Sequence, residues 1–149
     1  MDVLPTPVDF MNTEKVRISD KDYYIVSLLR GSQIVNLLSE RHFYLLRVTG
    51  NSMNQCSPEP IEDGDYVVMR EQRTANNGDI VAAVIIDDQG ENERRATLKR
   101  FAVQEGKIFL KPESDDPEFQ KPVYTNRIFE QLDDEVQIRG VAIAVLKPA

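Results

Sequence analysis

The sequence predicts a mostly β domain, a sandwich or a folded-over, barrel-like sheet with little helix. Seven short hydrophobic runs follow one another along the chain, and Asn, Asp and Gly residues that favour turns separate most of them. A chain of 149 residues is long enough for one domain with a sizeable core. Short strands joined by turns are typical of sandwiches and barrels, which gives the fold class.

The elements follow in chain order. Residues 1–21 are polar and contain Pro5 and Pro7, so we expect a flexible N-terminal arm before a folded domain at 22–149. Apolar spacing within residues 30–42 predicts a short helix. The predicted strands are Tyr23–Leu29, Phe43–Thr49, Asp65–Arg70, Ile80–Ile86, Ala96–Val103, Lys107–Pro112 and Val136–Leu146.

The composition excludes several kinds of chemistry. Cys56 is the only cysteine and His42 the only histidine, so neither an intrachain disulfide nor a Cys- or His-rich metal site can form. We therefore predict no cofactor and no metal. A Ser-His-Asp triad would have to use His42, which flanks a predicted strand and is better explained as a structural or surface residue.

Charge and hydropathy limit the partners and the compartment. The net charge of −7 argues against direct nucleic-acid binding, although Lys99-Arg100 or Arg94-Arg95 could form a local basic patch. No apolar run approaches the roughly 20 residues of a membrane helix. The first residues are acidic and do not resemble a secretory signal, so the expected location is the cytoplasm, with no membrane contact.

Two segments have the residue types for hydrolysis, namely "GNSM" at 50–53 and "ATLKRF" at 96–101. Each alone also fits an ordinary turn or a solvated strand end. In a strand, Lys99 and Arg100 point to opposite faces, so one of the two charges can face the protein interior. A buried lysine loses its proton more easily and can then activate a serine. A Ser-Lys dyad is therefore the hydrolytic pair that this chain could most readily build.

The order of the motifs resembles the LexA/UmuD-like serine peptidase superfamily, the self-cleaving domain of SOS repressors and their mutagenesis relatives. The resemblance covers residues 43–147. It implies a LexA-like folded β-sheet and an autocatalytic role in SOS, stress or mobile-element regulation. The matching segments are "LLRVTGNSM", "IEDGDYVVM", "NNGDIVAAVI", "ATLKRF", "GKIFLKPES" and "VQIRGVAIAVLK".

The resemblance also implies roles for single residues and for partners. Ser52 matches the nucleophile and Lys99 the general base. The N–H of Ser52 or Met53 would bind the oxyanion, and Met53 would anchor its loop in the core. A homodimer formed through the last strand is implied, as is a RecA filament, a DNA polymerase or a repressor as partner.

The sequence departs from the family at the bond to be cut. Members cleave an Ala-Gly or Cys-Gly bond, and this chain has neither upstream of Ser52. Before Gly50 the only glycine follows arginine, which leaves Arg30-Gly31 as the candidate bond. Cleavage of a partner and a catalytically silent peptidase-fold interaction module stay open, as does a purely structural β domain. Signal peptidases share the Ser-Lys core, but they carry a membrane anchor.

Overall fold

The computed structural model describes residues 2–3, 8–10, 15–28, 43–85, 95–117, 124–128 and 136–149, which form a mostly β structure. These residues contain eleven strands in one antiparallel sheet that does not close, so the predicted fold class is confirmed. No helix in these ranges has the length and apolar character needed to cross a membrane. The strands are β1 (Asp2–Val3), β2 (Val8–Phe10), β3 (Lys15–Ile18), β4 (Lys21–Leu28), β5 (Phe43–Arg47), β6 (Tyr66–Glu71), β7 (Ile80–Ile85), β8 (Arg95–Gln104), β9 (Lys107–Lys111), β10 (Tyr124–Ile128) and β11 (Val136–Pro148).

The structure places β1, β2 and β3 inside the range 1–21 that the sequence assigned to an arm. Strand β3 pairs with β4 and alternates in burial, because Val16 and Ile18 face the core while Arg17 is exposed. The pairing with β4 therefore makes the end of this range part of the sheet. The helix predicted for residues 30–42 lies outside the described residues.

Strand β11 lies at the centre of the sheet. It pairs with β6 along one edge, and with β7 and then β4 along the other. Its residues 141–146 are all buried, as expected for a strand that is covered on both faces. The register shifts along these pairings, and such irregularities bend a long strand so that it can serve several neighbours.

The sheet brings two distant parts of the chain together. Its main strand order is β1-β5-β6-β11-β7-β8-β9-β10, so β6 and β8 are separated only by β11 and β7. A core cluster of buried residues spans this region and includes Met53 from the loop after β5 and Leu98 from β8. The packing of this cluster determines where the loop after β5 lies relative to β8.

Candidate active site

The loop between β5 and β6, residues 48–65, carries Ser52 and is called the Ser52 loop below. Gly50 has a φ angle of 83°, which side chains of L-residues rarely tolerate, so the tight turn after β5 requires glycine. The Gly50 N–H donates to Asp63 Oδ1 at 2.8 Å. The Val48 N–H donates to the Asp65 carbonyl at 2.8 Å. The Asp-Gly-Asp turn therefore fixes the beginning of the loop.

Met53 anchors the middle of the Ser52 loop. Its side chain is only 2% exposed and packs in the same core cluster as Leu98. Its carbonyl accepts hydrogen bonds from the N–H groups of Cys56 at 3.3 Å and Ile61 at 3.1 Å. A buried apolar side chain held in this way fixes the backbone of its neighbour, and Ser52 is partly exposed beside it.

Ser52 lies against β8. Its hydroxyl donates to the carbonyl of Leu98 at 3.4 Å. Strand β9 pairs with β8 from Arg100 to Gln104, so Leu98 lies beyond the part of β8 that β9 covers. After β9 ends, the chain pairs instead with the Ser52 loop, because the Glu113 N–H donates to the Ser52 carbonyl at 2.9 Å. Ser52 therefore occupies the place where β9 leaves β8.

Lys99 is the buried cation next to this contact. Its residue is 2% exposed, and its Nζ donates to Thr97 Oγ1 at 2.6 Å. Within the described ranges no carboxylate pairs with it, and burial lowers the pKa of Lys99 to about 8. Asp65, also buried, differs because the Lys147 ammonium lies 2.5 Å away. Among the described residues Lys99 thus stands out as a buried charge whose hydrogen-bond partner is neutral.

The Ser52 hydroxyl contacts the residue before Lys99, and among the described residues no hydrogen bond joins the Ser52 and Lys99 side chains. In the part of the chain that the structure describes, the Ser52 hydroxyl bonds to Leu98 and the Lys99 ammonium to Thr97. Catalytic hydrogen bonds are often longer or differently directed before substrate binds. The N–H groups of Ser52 and Met53 donate to no acceptor among the described residues, so both donors are available to an oxyanion.

Arg100 and Glu113 are two further residues of the site, and sequence reasoning identified neither of them as such. Arg100 appeared to be half of a basic patch, but its guanidinium is occupied by Glu113 and by backbone carbonyls. The only signal in the sequence is its position after Lys99. Glu113 follows β9 and has no pattern that marks it. The contacts of Arg100 with Glu113, Gly78 and Ser57 join residues that are distant in sequence, so they form only in the folded chain.

The candidate cleavage residues Arg30 and Gly31 lie outside the described residues, as does His42. Strand β4, whose last residue is Leu28, leads into that segment. Among the described side chains, no group of three or more His, Cys, Asp or Glu residues is placed to hold a metal ion.

Comparisons with known proteins show what the chain is similar to. The model of the peptidase S24-like family matches residues 13–143. A LexA repressor of Frankia alni is 40% identical over 112 residues, which cover 74% of this chain and 36% of that protein. A LexA repressor of Cereibacter sphaeroides is 47% identical over 104 residues, covering 70% of this chain and 38% of the relative. The chain therefore spans only about a third of the length of the curated relatives it matches.

Proposed function

The chain belongs to the peptidase S24-like family, and from that premise we propose that Ser52 and Lys99 form a Ser-Lys dyad that cleaves peptide bonds. One observation carries the proposal. Lys99 is buried without an anionic partner in the described ranges, and the residue before it accepts the Ser52 hydroxyl. The name LexA repressor belongs to the full-length relatives, and this chain matches only about a third of each of them. We therefore restrict the proposal to peptidase chemistry.

Burial of Lys99 supplies the base. With a pKa of about 8, about 10% of the lysine is neutral at pH 7. At its ordinary value of 10.5 the neutral fraction would be about 0.03%, so burial increases the supply of free amine about 300-fold. A free amine within reach of a hydroxyl can accept its proton as the oxygen attacks.

The reaction balances with these groups and one water molecule. The Ser52 oxygen attacks the carbonyl carbon of the scissile bond while the Lys99 amine takes its proton. The N–H groups of Ser52 and Met53 stabilise the resulting oxyanion. The C–N bond then breaks, the leaving amine receives the proton from Lys99, and water hydrolyses the acyl-serine in a second cycle of the same kind.

A rearrangement of two side chains precedes the first step. The Ser52 hydroxyl turns from the Leu98 carbonyl towards the lysine, and the amine leaves Thr97. Met53 and the Asp-Gly-Asp turn hold the Ser52 loop while these side chains move. Substrate that covers the site favours this arrangement, since water no longer competes for the polar groups.

Arg30-Gly31 is the bond that we propose for self-cleavage. The test is intact-mass spectrometry of the purified chain incubated at pH 7 and at pH 9.5. The expected products are fragments 1–30 and 31–149. They should form about tenfold faster at pH 9.5, because the neutral fraction of Lys99 rises from about 10% to about 97%. A Ser52→Ala chain should stay intact, and equal fragmentation of that variant would exclude the dyad.

A catalytically silent interaction module is the second candidate. It is favoured because the Lys99 ammonium donates a hydrogen bond to Thr97. Among the described residues, Lys99 makes no hydrogen bond to Ser52. A fluorophosphonate that acylates reactive serines separates the two functions. The peptidase proposal requires a Ser52-dependent mass increase that forms faster as the pH rises. An unlabelled chain that stays folded from pH 7 to pH 10 would favour the silent module.

A further inference from the structure

Arg100 contacts the Ser52 loop and two other segments of the chain. Its Nη2 donates to the Ser57 carbonyl at 2.7 Å, and its Nη1 to the Gly78 carbonyl at 2.8 Å. Its Nε donates to Glu113 Oε1 at 2.9 Å, and Nη2 lies 2.8 Å from the same oxygen. A guanidinium offers five donors in one rigid plane, so a single side chain can hold all three segments. A lysine ammonium has no such fork.

Glu113 connects this guanidinium to the backbone around Ser52. Its N–H donates to the Ser52 carbonyl at 2.9 Å, and its carbonyl accepts the Gln55 N–H at 2.9 Å. These two bonds bracket the stretch from Ser52 to Gln55. The side chain of Glu113 meanwhile binds Arg100, which also holds Ser57 further along the same loop. The loop is thus tied at two points to one arginine.

We propose that Arg100, acting through Glu113, is a positioning residue that keeps the Ser52 hydroxyl at β8. The contacts of Arg100 and Glu113 with the Ser52 loop are called the clamp below. The effect of the clamp on reaction rate rests on the proposed function, whereas the clamp itself can be measured without any reaction. Arg100 follows Lys99 directly in β8, so the same strand supplies the base and the group that holds the nucleophile loop. Because Lys99 and Arg100 belong to the same strand, the proposed base and the Ser52 loop keep their positions relative to each other.

The clamp affects rate more than stability. The side chains of Arg100 and Glu113 are 20% and 35% exposed, and ion pairs so close to water contribute little to folding. A displacement of about 1 Å in a reacting group, in contrast, can slow a reaction about 100-fold. Loss of the guanidinium should therefore leave a folded protein whose serine reacts slowly.

The experiment compares Arg100→Met and Arg100→Lys with the wild type and with Arg17→Met. Arg17 is a matched control, since it pairs with Asp22 at 3.0 Å in the hairpin of β3 and β4. Amide hydrogen exchange is measured at the Gln55 and Glu113 N–H groups, and fluorophosphonate labelling of Ser52 is followed from pH 7 to pH 10.

In Arg100→Met we expect protection of both amides to fall at least about tenfold, and the plateau rate of labelling to fall about 10- to 100-fold. The midpoint of the pH profile should stay near that of the wild type, because burial alone lowers the pKa of Lys99. Arg100→Lys should lie between the two, and Arg17→Met should match the wild type in every measurement.

Unchanged protection at both amides in folded Arg100→Met would overturn the clamp. A changed pH midpoint with an unchanged plateau would also overturn it, since Arg100 would then act on the lysine electrostatically. If Ser52 is unreactive in the wild type as well, the peptidase proposal fails. The amide protection of Gln55 and Glu113 then decides the clamp by itself.

Discussion

Replacement of Lys99 by methionine should make the protein more stable at neutral pH, although it removes the proposed general base. The Lys99 ammonium is buried, and its one described hydrogen bond goes to the neutral hydroxyl of Thr97. Methionine has a similar length and no charge, so it fills the same space without the cost of desolvating an ion. A gain in stability from the loss of a functional residue is the result expected if function requires a destabilised site.

The size of the gain follows from the pKa. Burial lowers the pKa of Lys99 from 10.5 to about 8, so between these values the unfolded chain binds more protons than the folded chain. The stability of the wild type therefore rises with pH across that window. Below the window, the protein pays the full free-energy penalty of burying the charged form of Lys99. The penalty is about 3 kcal/mol at pH 7 and about 1 kcal/mol at pH 9.5. Loss of the bond to Thr97 offsets about 1 kcal/mol of the gain.

Urea unfolding at both pH values measures the effect. Lys99→Met should be about 2 kcal/mol more stable than the wild type at pH 7 and nearly equal to it at pH 9.5. Lys107→Met is the control, because Lys107 is exposed on β9 and its replacement should change little at either pH. A Lys99→Met variant that is no more stable at pH 7, or a gain that is the same at both pH values, would refute the reasoning.

Three further changes test the frame around the site, each by urea unfolding at pH 7. Lys147→Met should lower the free energy of unfolding by about 2–4 kcal/mol, because the buried Asp65 carboxylate loses its cation. Adding Asp65→Asn to this variant should recover part of the loss. Gly140→Ala should lower the free energy of unfolding by about 2 kcal/mol, because the new Cβ would lie 2.9 Å from the Arg70 carbonyl. An unchanged urea midpoint would contradict this expectation. Met53→Ala should cost about 2–4 kcal/mol and also slow fluorophosphonate labelling, whereas normal labelling would show that the anchor is dispensable.

The sequence was informative wherever a local pattern was enough. Alternation along β8 places Lys99 and Arg100 on opposite faces, and hydrophobic runs between turn residues gave the mostly β class and the approximate bounds of the strands. The order of the motifs identified the family, which the comparison over residues 13–143 confirms. These features depend only on neighbours in the chain or on motif order.

The ends of the strands and the first part of the chain were less predictable. Residues 1–21 look like an arm because they are polar and contain prolines, yet Val16 is fully buried in β3. Its burial depends on pairing with β4 and on packing against a core assembled from β5, β6 and β11. No local pattern reports contacts of that kind.

The sequence by itself limited the residue types that chemistry could use, since with one histidine and one cysteine a Ser-Lys dyad is the hydrolytic pair that the chain could most readily build. Only the tertiary structure decided which charge is desolvated. Lys99 lies on the face that the sheet covers, whereas Arg100 emerges among carbonyls and Glu113 that satisfy its donors. The physical reason is that a pKa and a hydrogen bond depend on every group nearby, and those groups come from β7, β9 and the Ser52 loop, which are distant in sequence.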